Sequence, residues 1–176
     1  MLKPQDVVIS IKLLQDWKGS AAPTYSELAS ALKMSPSEAH AGVRRSLEVG
    51  LLRRPAGSTQ RMPVPVRMAL EEFLICGLKY IWPAKAGATA RGMPTCSSSP
   101  AVARELDVPQ PETPLVWRHP AGTVRGEIIL PLYPKVPEVC ADDAWMHEWL
   151  ALVDVLRCKT GREAMLAANA IRNRLA

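Results

Sequence analysis

The sequence predicts a mainly helical chain with a small β component, and three observations carry that prediction. Two short amphipathic stretches flank Lys33-Met34-Ser35, and each opens on a helix-capping signal. A run rich in arginine, glycine and proline follows, with the pattern strand, turn, strand. Residues 82–140 then hold ten of the sixteen prolines, and the chain beyond them returns to helical periodicity. The expected organisation is an N-terminal helical segment ending in a basic β ribbon (1–65), a linking or dimerisation helix (66–81), and a Pro-rich, mostly helical C-terminal region (82–176).

The first helix is expected from Pro4 to Trp17, with Val7, Ile11, Leu14 and Trp17 inward; Gly19 to Pro23 breaks it. Thr24 caps the second helix, and Glu27, three residues on, completes a capping box. Leu28, Ala31 and Leu32 face its core. Ser35, Pro36 and Glu38 repeat the signal with proline at the first helical position. On this third helix Ala39, Val43 and Leu47 point inward, and Gly42 would admit the second helix closely. Gly50 can take the left-handed conformation that ends a helix.

Val66 to Ile81 is apolar nearly all round, interrupted by Glu71, Glu72 and Lys79, so cover on more than one face is expected. Leu115–Arg118 and Thr123–Leu130 can pair as a hairpin across His119-Pro120-Ala121-Gly122. Asp142 or Asp143 caps a helix from Ala144 to Arg157, with Trp145, Trp149, Leu152 and Leu156 on its apolar face. Thr160 and Glu163 predict a further capping box, opening a last helix that ends near Leu175.

Charge separates these parts. Residues 1–67 carry ten basic and five acidic side chains; the remaining 109 carry twelve of each. The whole formal excess of +5 therefore sits in the first segment, the footprint of a polyanion-binding head beside a neutral body. The N-terminus lacks the apolar core of a signal peptide and no apolar run reaches membrane-spanning length, so a cytoplasmic chain is expected. Cys76, Cys96, Cys140 and Cys158 are widely spaced; reduced, buried thiols are the simplest reading, with a redox switch as the minor one. No phosphate-binding glycine loop, zinc signature or nucleophile elbow is present, and His119 and His147 stand apart from other ligand types. Neither enzyme activity, cofactor nor metal is expected.

Glu27-Leu28-Ala29, Met34-Ser35, Ser35-Pro36-Ser37-Glu38 and Gly50-Leu51-Leu52 together resemble the winged helix-turn-helix domain of bacterial transcription regulators, broadly MarR-like. The resemblance covers roughly residues 3–65. It implies that the third helix enters the major groove of double-stranded DNA, with a homodimer spanning two half-sites. The face opposite Ala39, Val43 and Leu47 carries Ser37, His40, Ala41, Arg44 and Arg45. One of Arg44 and Arg45 is expected to read a base and the other to hold phosphate, since arginine can fork onto guanine. Ser35, Ser37 and His40 would hydrogen-bond phosphates or bases, and backbone N–H groups at the helix start would add an anion site. Tyr25 and Ser26 would clamp the flanking backbone, and Arg53, Arg54 and Arg61 would set the wing on DNA. Glu48 argues against contact along the whole face.

The expected function is a sequence-specific transcriptional regulator, by default a repressor. The alternative is a protein-interaction module, an antitoxin or adaptor gripping a partner protein. Trp82, Trp117, Trp145 and Trp149, with Arg91 and Arg125, either pack a core or line a pocket for a small-molecule effector.

Overall fold

The computed structural model describes residues 1–15, 22–57 and 62–176. The chain divides into two compact units, Met1–Leu70 and Glu71–Ala176. The division falls inside the stretch expected as one linking helix. The described residues are mainly helical, with two small sheets.

The first unit begins with α1 (Pro4–Lys12), α2 (Tyr25–Ala31) and α3 (Pro36–Glu48). Both expected capping boxes form: Thr24 N and Ser35 N donate to Glu27 and Glu38 at 2.7 and 2.9 Å, and Thr24 Oγ1 and Ser35 Oγ accept in return. The turn between α2 and α3 is a Schellman motif. Met34 N–H reaches back to Ala29 O and Lys33 N–H to Ser30 O, with Lys33 left-handed at φ 53°. Helix α1 is shorter than expected. Bonds from Leu14 N to Ile11 O and Gln15 N to Lys12 O tighten its end into turns, and Trp17 lies outside the described residues.

Val7, Val8, Ile9 and Ile11 join Leu28, Leu32, Ala39 and Val43 in the first unit's core. Gly42 belongs there for a reason other than the one expected: it admits α1, not α2. A Cβ on Gly42 would stand 2.3 Å from Ile9 Cδ1 and 3.0 Å from Asp6 Oδ1. Gly50 has the expected positive φ, and β1 (Leu52–Arg53) then pairs antiparallel with β2 (Val64–Pro65).

Helix α4 (Arg67–Glu72), a π turn (Phe73–Gly77) and α5 (Leu78–Ile81) make one helical run. Within the single chain the cover is uneven, with Phe73 and Ile75 half-buried. Leu70 is buried in the first unit and Leu74 and Leu78 in the second, while Met68, Cys76, Tyr80 and Ile81 are exposed. A spacing of four drifts off a straight α-helical face, and the wider π turn between Leu74 and Leu78 counters that drift.

In the second unit β3 (Thr89–Pro94), β4 (Leu115–Arg118) and β5 (Val124–Ile128) close on one another. Both β4 and β5 run antiparallel to β3, and they pair parallel with each other. The expected β4–β5 hairpin is therefore replaced by a crossing. The chain leaves β4 on one edge of β3, passes over Gly92, and continues as β5 on the other edge. Glycine is needed at both positions: a Cβ on Gly122 would lie 2.3 Å from the Gly92 backbone, and a Cβ on Gly92 would lie 2.2 Å from Trp117 O.

A 3-10 turn (Cys96–Ser98) leads into α6 (Pro100–Leu106), and α7 (Val136–Asp142), α8 (Ala144–Cys158) and α9 (Gly161–Leu175) complete the unit. Asp143 caps α8, accepting from Met146 N at 3.1 Å. Every residue from Trp149 to Arg157 is buried, so α8 is the second unit's core helix. The box expected at Thr160 does not form. Glu163 instead accepts from Ser97 Oγ at 3.0 Å and faces Lys159 Nζ at 3.8 Å.

Candidate nucleic-acid interface

Helix α3 is anchored from below by a buried polar cluster. Asp6 is wholly buried and takes both arms of the Arg45 guanidinium, Nε at 2.8 Å and Nη2 at 2.6 Å. It also accepts from Lys3 N at 2.7 Å, so one carboxylate caps α1 and grips α3. Its backbone carbonyl accepts from Ser10 Oγ at 2.9 Å, and Ser10 Oγ lies 3.4 Å from Ser46 Oγ. Asp6 raises the Arg45 guanidinium above its already high value, through the hydrogen bonds first. The expectation that Arg45 touches DNA is therefore corrected: its side chain is only 15% exposed and its fork is committed to Asp6.

The opposite face of α3 is open. Ser37, His40 and Arg44 are exposed, and Ala41 lies half-buried between them. Arg44 leans on Glu48 at 3.6 Å, an i,i+4 pair with side chains 68% and 56% exposed. Such a pair is worth a few tenths of a kcal/mol at most and yields readily to a phosphate or a base. Tyr25 is half-buried at the start of α2, its ring centroid 5.0 Å from that of His40, and Ser26 beside it is exposed. Arg44, His40, Tyr25 and Ser26 thus come from the two helices that the Schellman turn joins.

Two expectations at the start of α3 are corrected. Ser35 Oγ receives Glu38 N at 3.2 Å and donates to Glu38 Oε2 at 2.8 Å, so it serves the cap. The Glu38 carboxylate occupies the helix start, held below its ordinary range by hydrogen bonds from the Ser35 backbone and side chain. A phosphate there would meet a carboxylate, so the N–H groups offer no anion site. On the ribbon, Arg53 and Arg54 are exposed at and just after β1, and Arg61 lies outside the described residues.

Asp6, Ser10 and Ser46 were not among the expected site residues. Two polar side chains four residues apart, Asp6 and Ser10, set on one side of the apolar stretch Val7 to Ile11, were the available signal.

The second unit does not gather its tryptophans. Trp117 is fully buried, with Nε1 donating to Asp154 at 2.6 Å; Trp145 lies tilted against Trp149, ring centroids 5.7 Å apart; Trp82 packs edge-on against Phe73. Arg91 and Arg125 are cross-strand partners on the outer face of β3 and β5, both exposed. A groove of about 290 Å³ opens elsewhere, lined among others by Ile75, Lys79, Leu156, Lys159 and Met165. Among the described residues, no helix is long and apolar enough to cross a membrane. Comparison with protein-family models, curated proteins and solved structures found no match to this chain.

Proposed function

We propose that the first unit is a winged helix-turn-helix head and that the chain regulates transcription by binding operator DNA as a homodimer. The observation that carries this reading is the open face of α3, where Ser37, His40 and Arg44 stand clear while Arg45 locks the helix from behind. The two-stranded ribbon with Arg53 and Arg54, and the basic excess in the same unit, support it. In this reading Arg44 is the base-reading arginine, with Ser37 and His40 beside it. Tyr25, Ser26, Arg53, Arg54 and Arg61 hold the phosphates. Repression follows from occupancy of the operator.

The test is fluorescence anisotropy on the protein's own upstream DNA and a scrambled duplex. Arg44→Ala should cost about 1–3 kcal/mol on the upstream DNA and much less on the scrambled one. Equal losses on both duplexes would demote Arg44 to a phosphate contact. No loss from the Arg44→Ala, Arg53→Ala pair would sink the DNA reading.

A second reading, a module that grips a partner protein, is favoured by one observation. Glu38 and Glu48 put carboxylates at both ends of the exposed α3 face, where phosphate would be repelled. Under that reading a stoichiometric protein partner co-purifies from the native host and is lost with Arg44→Glu.

A further inference from the structure

Cys96 and Cys158 are 62 residues apart in sequence, yet their Sγ atoms lie 3.0 Å apart as free thiols. We propose that this pair is an oxidation site, closing to a reversible disulfide on reaction with a low-molecular-weight disulfide of the glutathione type.

Both partners are held from their own elements. Cys96 opens the 3-10 turn at the end of β3 with a left-handed φ of 51°, a conformation that costs a residue bearing a Cβ. Bonds from Ser98 N to Thr95 O and from Ser99 N to Cys96 O, both 3.1 Å, fix that turn. Cys158 is the last residue of α8. Its thiol donates to Asp154 O at 2.6 Å, which leaves its sulfur lone pairs free to face Cys96. The separation exceeds a disulfide bond by roughly 1 Å, so closure needs a small approach and no refolding. Among the described residues neither other cysteine has a thiol partner: Cys140 is buried in α7 and Cys76 is exposed in the π turn.

The difference in exposure orders the steps. Cys96 is fully buried, and Cys158 is half-buried. The Cys158 thiolate attacks one sulfur of the external disulfide, forming a mixed disulfide and releasing one thiolate. The Cys96 thiolate then attacks the Cys158 sulfur, forming the internal bond and expelling the second thiolate. The protons lost by the two cysteines end on the two released thiols. Two protein thiols are oxidised and one external disulfide is reduced. In a reducing compartment the pair stays open; as the surroundings become more oxidising, it closes.

The experiment treats full-length Cys76→Ser protein with oxidised glutathione under native conditions, then acid-quenches it, alkylates it and maps its peptides. The expected product is a Cys96–Cys158 cross-linked peptide that disappears with dithiothreitol, with Cys140 recovered as a thiol. Adding Cys96→Ser should trap the glutathione adduct on Cys158, because the resolving thiol is gone. Recovery of both cysteines as thiols overturns the proposal. So does accumulation of the Cys158 adduct while Cys96 is still present.

Discussion

Arg44 and Arg45 are neighbours with opposite duties, and the contrast is testable. Removing Arg45 strands the buried Asp6 carboxylate, which should cost about 3–5 kcal/mol, a large share of a small unit's stability. Removing Arg44 should change stability by less than about 0.5 kcal/mol, since Glu48 across from it is solvated. Chemical denaturation of Arg44→Ala and Arg45→Ala separates the two roles; equal midpoints would refute the anchoring role of Asp6. Acid offers a second check. Hydrogen bonds to the Thr24 and Ser35 backbones and hydroxyls hold Glu27 and Glu38 below their ordinary range. A depressed carboxylate contributes stability above its unfolded pKa and loses it as pH falls through the folded one. The expected result is a loss of stability that begins below about pH 4.3 and is reduced in the Glu27→Gln, Glu38→Gln double variant, as followed by circular dichroism. The same acid loss in both proteins would refute it.

At the scale of elements, the α2–α3 turn holds a removable strain. Lys33 sits at the C′ position of a Schellman motif, where glycine carries no penalty for a positive φ. Lys33→Gly relieves about 1–2 kcal/mol of left-handed cost against about 0.5–1 kcal/mol of extra chain entropy, and should stabilise the protein by roughly 0.5–1 kcal/mol, with binding of the upstream DNA unchanged, because the turn geometry is already the native one. A lower denaturation midpoint would mean that the lysine side chain offsets its own backbone cost. That turn also shows what local sequence conveys. The caps at Thr24 and Ser35, the glycine stop at Gly50 and the inward pair Ala39 and Val43 depend on neighbours within four residues and were legible. The cap of α8 was narrowed only to Asp142 or Asp143, and the third buried position of α3 is Ser46 where Leu47 was expected. The β4–β5 crossing was not legible, because it depends on Gly122 meeting Gly92, thirty residues earlier, and two short runs around His-Pro-Ala-Gly read equally well as a hairpin. The Asp6–Arg45 lock was hidden for the same reason: a contact over 39 residues leaves no periodicity. Of the candidate site, exposure at Ser37, His40 and Arg44 was readable from helical phase, whereas the engagement of Ser35 and Arg45 needed coordinates.

At the scale of the molecule, the two units divide the charge. The first carries the entire +5 and the second sums to zero, so DNA affinity should follow the first unit and oligomeric state should set how steeply salt weakens it. With the three arginines Arg53, Arg54 and Arg61 on phosphates in each head, one head gives a logarithmic salt slope of about −2.7, and two heads on one duplex double it to roughly −5.4. The full chain on its upstream DNA should show the steeper slope, with two chains per duplex by light scattering. A fragment ending at Ile81 should show the shallower slope if the surfaces that pair the protomers lie beyond it. A fragment from Glu71 onward should not bind, having no net charge to exchange for counterions. Binding by that second fragment with a comparable slope would move the DNA contact off α3 altogether. A full chain that keeps the one-head slope would leave the head a DNA-binding unit and remove the homodimer from the proposal.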